Sequence, residues 1–291
     1  MKIKKTTSDI VIDFVCYATV ILLCVTVVVP FWNLFSTSIT PKSEITLEFK
    51  WFPKTADFGA WRTVAGSAYM WLCFKNTIVR TVLATIISLF MLVTFSYPLS
   101  RKEFPAGKFL LGMVSVTMFF SGGLIPTYLN ISDLGIMDTI WSLVLPGALS
   151  AFNVILLKNF FAQLPESLIE AAKIDGANDI RILFTIVIRL SMPILATLTL
   201  WQMVGNWNAW FDCLLYINDR SKYVLQIMLR ELQTTVAAIT EGGAGADSTQ
   251  TPPSEGIIAA SNLFVILPIV CVYPFLQKYF VKGITIGAVK G

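Results

Sequence analysis

Between Ile10 and Phe35 a single charged residue, Asp13, interrupts an apolar run longer than the roughly 20 residues a helix needs to cross a bilayer. The basic start MKIKK gives this run the look of a signal peptide. It is too long for one, however, and no small-residue cleavage site ends it. Further apolar runs lie at about 76–97, 109–129, 139–160, 183–207 and 257–280. The composition agrees: 55% of residues are hydrophobic and 14% charged, where a soluble domain carries about 25% charged. The chain reads as an all-α integral membrane protein with six transmembrane helices and no room for a second, soluble domain.

Between the spans lie polar segments. Residues 40–70 carry Trp51, Phe52 and Trp61 and read as a loop. RKEFPAGK (101–108) is a short basic connection. Residues 212–256 are polar, with a tip EGGAGADSTQTPPSEG that predicts mobility. An even number of spans puts both termini on one side. Lys2, Lys4, Lys5, Arg101, Lys102, Lys108 and Lys158 crowd that side, so the positive-inside rule makes it cytoplasmic.

The five cysteines sit in or beside apolar runs, no C-x-x-C is present, and histidine is absent. A zinc site and a histidine-dependent hydrolase are excluded on that basis. The net charge of +4 is too small to point to nucleic acid. A membrane enzyme acting on glycans would need paired carboxylates or a metal in a cleft. The spans offer little more than Asp13 and Asp212.

One stretch breaks the apolar pattern. LIEAAKIDGANDIRIL (168–183) concentrates Glu170, Lys173, Asp175, Asp179 and Arg181. Pro165 suits the first turn of a helix, Glu166 complements its dipole, and Gly176 suits its end. These residues predict a helix over about 165–175. It is too polar to span and too short to be stable alone, so something must hold it. Ala171, Ala172 and Gly176 are small enough to let another surface approach, while Glu170, Lys173 and Asp175 can fix orientation by charge. On these residues alone, a docking knob and a solvated loop helix both remain open.

The pattern Glu170-Ala171-Ala172, then Asp175-Gly176-Ala177, then an apolar run to Pro193, resembles the EAA loop of ATP-binding-cassette (ABC) importer permeases. The ending GITIGAVKG is similar to the tail of maltose-transporter-type sugar permeases. GNWNAWFDCLLYIND and LPIVCVYPFLQKYFVKG resemble the complex-saccharide branch. The resemblance implies the type I ABC importer permease fold with both termini cytoplasmic. Residues 1–70 would form a first helix and external loop, 71–280 the permease core with its EAA loop at 163–193, and 281–291 a cytoplasmic tail.

It also implies partners: a second, homologous permease, two ABC ATPase subunits and an extracytoplasmic binding protein that delivers a saccharide. Glu170, Ala171, Ala172, Lys173, Asp175, Gly176 and Ala177 would couple to the ATPase. Gly287, Val289, Lys290 and Gly291 would reach toward it. ATP and Mg would sit on the partner subunits, with no cofactor, metal or catalytic residue on this chain, which has no G-x-x-x-x-G-K-[ST] loop. One departure stands out. The family's usual proline is replaced by Arg189, four residues before Pro193, which leaves the helix path there open.

Sugars are held by aromatic faces and planar polar groups. The candidates for a substrate pathway are Tyr128, Asn130, Asn153, Asn206, Trp207, Asn208 and Trp210. For the tryptophans an interfacial aromatic belt is the alternative, and for Asn153 a helix–helix hydrogen bond. Arg80 is expected to snorkel outward rather than line the path. Gly122-Gly123 can break the third span. Amino acids, peptides or metal chelates stay open as cargo on the residues alone.

Overall fold

A computed structural model describes residues 7–45, 51–241 and 254–288; all regular secondary structure among them is helical. In chain order the helices are α1 (Thr7–Ser38), α2 (Gly59–Gly66), α3 (Ala68–Leu99), α4 (Gly107–Phe119), α5 (Leu124–Asp133), α6 (Ile140–Val144), α7 (Ala151–Ala162), α8 (Glu166–Ile174), α9 (Asp179–Leu190), α10 (Met192–Asn208), α11 (Phe211–Tyr216), α12 (Leu225–Glu241) and α13 (Glu255–Ala288). Contacts divide the chain into two units, Met1–Ser67 with Leu229–Ile266, and Ala68–Met228 with Leu267–Gly291.

In the first unit, α1 is a bare apolar rod. Ile12, Phe14, Ile21 and Leu22 are all exposed, a surface that needs a lipid covering. At its end Trp61 donates from Nε1 to Ser38 Oγ at 3.1 Å, and Trp32 donates to the Trp51 carbonyl at 2.7 Å. These bonds fold the segment after α1 back onto the helix end. Gly256 permits a close approach there: a Cβ would sit 3.4 Å from the Thr37 carbonyl oxygen.

In the second unit, α3 packs along α10 and α7. Its buried face, Cys73, Thr77, Arg80, Ala84, Ser88 and Leu92, recurs every three or four residues, as a helix stripe must. One core cluster joins Leu92, Val93 and Tyr97 of α3 to Val154, Leu157 and Phe161 of α7 and to Ile182 and Val187 of α9. A second, near the other end of α3, gathers Ile131, Leu143, Cys213, Tyr216, Ile217 and Val224.

α1, α3 and the Glu255–Pro274 stretch of α13 are long and apolar enough to cross a membrane. The other three expected spans are not single rods. The run 109–129 turns by 117° between α4 and α5, at the Gly122-Gly123 pair, where Gly123 adopts φ +87°. The run 139–160 is divided into α6 and α7 around Pro146 and Gly147, and Ser150 caps the restart by accepting from the Asn153 N–H. The run 183–207 starts earlier, at Asp179, and turns by 83° at Ser191. With Arg189 in place of proline, α9 keeps its N–H there and runs on to Leu190; Pro193 then opens α10. Leu183–Val187 forms a π-turn within α9. The stretch read as a mobile polar loop is helical through α11 and α12, while its 242–253 tip lies outside the described residues.

Candidate functional site

The charged block forms α8, within one residue of the span its sequence predicts. Its end is a Schellman motif: the Ala177 N–H reaches the Ala172 carbonyl at 2.9 Å and the Gly176 N–H reaches Lys173 at 3.0 Å. Gly176 holds φ +78° to allow this. What holds the short helix is Ile169, 4% exposed in the α3–α7–α9 core. Ala172 and Ala177 are half-buried against the same core. They therefore serve to seat α8.

The outward face carries Glu170, Ala171, Lys173, Asp175 and, 86% exposed, Ile174. Ile174 is the functional candidate that reasoning from small residues missed. Its signal was an isoleucine five positions from the anchor Ile169, off the buried stripe. Lys173 lies 4.0 Å from Asp179 across the turn, an exposed pair of small energetic weight.

The polar candidates for a pathway do not form one constellation. Asn206 donates to the Gln202 carbonyl at 2.9 Å, and Gln202 donates to Ser88 Oγ at 2.6 Å, joining α10 to α3. Asn208 accepts from Gln226 Nε2 at 3.2 Å. Tyr128 lies 6.2 Å from the Tyr216 ring, and Asn130 is exposed beside it on α5. Trp210 meets Phe211 edge-on at 5.5 Å. Asn153 is buried on the α7 face that carries Val154 and Leu157. Trp207 is buried too, edge-on to Phe74 at 6.0 Å. It lines an apolar cavity of about 240 Å³ with Ile78, Leu200, Met203 and Pro268.

Arg80 does not snorkel. It is 2% exposed, pairs with the Asp212 carboxylate and donates from Nη1 to the Ala209 carbonyl at 3.0 Å. Snorkelling fails because α11 brings a carboxylate to it. That partner is 132 residues away in sequence, so no local pattern reveals it.

Beside this pair, a polar clip joins the α5–α6 link to the segment after α11. Asp138 Oδ1 accepts from the Asn218 and Asp219 N–H groups at 3.0 and 3.1 Å, and Lys222 Nζ reaches Oδ2 at 2.6 Å. Asp138 adopts φ +55°, uncommon for a residue with a side chain. The Lys222 hydrogen bond holds Asp138 below the ordinary carboxylate range and, reciprocally, raises Lys222. Burial and the nearby Asp212 charge push the Tyr216 phenol up.

Of the expected tail contacts, Gly287 falls within α13, while Val289, Lys290 and Gly291 lie outside the described residues. Among the described residues no group of His, Cys, Asp and Glu is placed to hold a metal.

Comparison with known proteins fits this arrangement. Residues 63–286 match the family described as binding-protein-dependent transport system inner membrane component. The chain is 41% identical over 265 residues to Protein LplC of Bacillus subtilis, covering 91% of this chain and 90% of that one. It is 36% identical over 280 residues to the polygalacturonan/rhamnogalacturonan transport system permease protein YtcP of the same organism, covering 96% and 98%. A solved chain of a bacterial ABC transporter involved in the import of the acidic polysaccharide alginate superposes with a TM-score of 0.85 at 32% identity, covering 96% of this chain and all of the other. With helices as the regular structure of its described residues, apolar spans and most of its length matched, this chain belongs to the family of binding-protein-dependent transport system inner membrane components.

Proposed function

We propose that this chain is one membrane half of an ATP-driven importer that takes a saccharide from an extracytoplasmic binding protein and passes it inward by alternating access. A second, homologous permease completes the pathway. Two ABC ATPase subunits bind ATP and Mg and carry out hydrolysis, so the chain itself is no enzyme. Both termini and α8 face the cytoplasm, in keeping with the lysines and arginines gathered at that end.

The observation that carries this reading is α8. A nine-residue helix is anchored on one side by Ile169 and stopped by Gly176, and it presents Ile174 outward between Glu170 and Lys173. An exposed isoleucine on a rigid, charge-rimmed knob is built to enter a groove on another subunit. Gly287, Val289, Lys290 and Gly291 would add a second contact to the ATPase pair.

The saccharide class is supported by the relatives, whose names include polygalacturonan, rhamnogalacturonan and alginate. Fragments of acidic polysaccharides are the first cargo to try. Arg80 does not read their charge, because Asp212 already neutralises it. Asn206, Asn208, Trp210, Tyr128 and Asn130 are the polar and aromatic groups that would meet sugar, at separate places along the path, while Asn153 and Trp207 are buried.

The test is reconstitution of the complete importer in proteoliposomes with its binding protein. ATP hydrolysis is measured with and without oligosaccharide-loaded binding protein. Ile174→Asp touches nothing in the chain's own core. It is expected to abolish the stimulation while leaving membrane insertion and thermal stability unchanged. Stimulation at the parent level in that variant would overturn the assignment of α8.

A further inference from the structure

A pocket of about 430 Å³ opens between the turn after α3, the start of α4 and the α7–α8 link. Arg101, Lys102, Lys108 and Lys158 line it against two carboxylates, Glu103 and Glu166. Lys102 is 3.9 Å from Glu166, and the cations of the lining outnumber its carboxylates. Arg101 stacks over the Tyr97 ring at 4.7 Å, and both also line the neighbouring hollow that holds Asp179, which leaves the three lysines as the main cations here. The N-terminus of the thirteen-residue helix α4 opens at the same pocket with no side-chain cap, and adds partial positive charge.

The rest of the lining is apolar, with Leu111 and Phe161 among it. Just outside, Phe109 and Met113 stand exposed on α4. Cations therefore meet a hydrocarbon-facing surface at the end of a membrane span. A free phosphate would use only the charged wall, whereas a lipid would use both.

We propose that this pocket binds the phosphate headgroup of an anionic phospholipid, with the acyl chains lying along α4. Basic pockets between spans at the membrane boundary take such headgroups, and each lysine contributes about fivefold in affinity.

The experiment is native mass spectrometry of the assembled importer. The complex is stripped of lipid in detergent and titrated with phosphatidylglycerol, phosphatidylcholine or inorganic phosphate. The double variant Lys108→Gln/Lys158→Gln is expected to weaken phosphatidylglycerol binding about 25-fold and to leave phosphatidylcholine binding unchanged. Lys108→Arg/Lys158→Arg should retain binding, which separates charge from folding. Lys42→Gln/Lys54→Gln removes equal charge elsewhere and should retain it too. Unchanged phosphatidylglycerol binding in the first variant, or equal loss in the control at Lys42 and Lys54, overturns the site. Displacement of the lipid by millimolar inorganic phosphate overturns the lipid in favour of a free anion.

Discussion

The buried pair of Arg80 and Asp212 predicts an asymmetry between its two single variants. Asp212→Leu strands a guanidinium that is 2% exposed and keeps only the Ala209 carbonyl, with its Nε already lacking an acceptor. Uncompensated buried charge of this kind costs about 3–5 kcal/mol. Arg80→Met strands a carboxylate whose side chain is 28% exposed and whose Oδ1 still accepts from the Cys213 N–H at 2.9 Å. Partial hydration and that bond should hold the loss to about 1–3 kcal/mol. The double variant Arg80→Met/Asp212→Leu leaves no charge behind, so it should be more stable than Asp212→Leu alone by about 2 kcal/mol. Cys73 and Cys213 are fully buried and report unfolding. In a background with Cys16, Cys24 and Cys271 changed to Ser, a thiol-reactive dye follows their exposure as detergent-solubilised protein is heated. If Arg80→Met proves as damaging as Asp212→Leu, or the double variant is worse than both singles, the reasoning fails.

Three further outcomes are expected. Gly176→Ala should loosen α8 by about 1–2 kcal/mol through its left-handed backbone alone, since no atom crowds a Cβ there; Gly176→Asn should cost less, read by amide hydrogen exchange across 166–177. Ile169→Ala should cost about 2–5 kcal/mol and make the 163–178 segment sensitive to protease while α3 stays protected; equal protection of both would show that Ile169 is not the anchor. For the Asp138–Lys222 clip, the lowered Asp138 stabilises above the ordinary carboxylate range and loses that effect as pH falls through its folded value. The raised Lys222 stabilises below the ordinary lysine value and loses it as pH rises through its own. The clip's contribution, measured as the difference in melting midpoint between parent and Asp138→Asn, should therefore be level between about pH 5 and 9 and shrink at both extremes. A difference that changes within that window would refute the pairing.

The apolar runs and the caps of α8 were legible because both are local. A span needs only consecutive apolar residues, and Pro165, Glu166 and Gly176 act within a turn of where they stand. The bend at Gly122-Gly123 was legible for the same reason. Ser191 was not: its break depends on Pro193 opening a new helix after Arg189 lets the previous one continue. α12 was hidden by its polarity, since Leu225, Ile227, Met228 and Leu229 at its start are buried while Arg230 and residues 233–235 are exposed. The site was half visible. The small residues named the loop, but Ala172 turns out to seat the helix while Ile174 faces away. Arg80 and Asp138 find partners after long stretches of chain, and pairing at that range has no signature in a single sequence.

The π-turn at Leu183–Val187 gives α9 a fixed phase. In a plain α-helix, residues five apart point about 140° away from each other; a π-turn holds one residue more per turn and brings them to the same side. Ile182 and Val187 are five apart and both fully enclosed. The extra residue thus keeps two stretches of helix in register with one core. Removing any one residue from 184–186 would restore α geometry and leave Ile182 and Val187 four apart, about 40° from each other and still on one side; relaxing the π-turn to α geometry with every residue kept would instead rotate everything upstream by about 100°, α8 included. Ile169 could then reach its socket only by twisting the chain. Surface connections usually tolerate changes in length; here the count of residues between knob and span sets which helical form α9 must take.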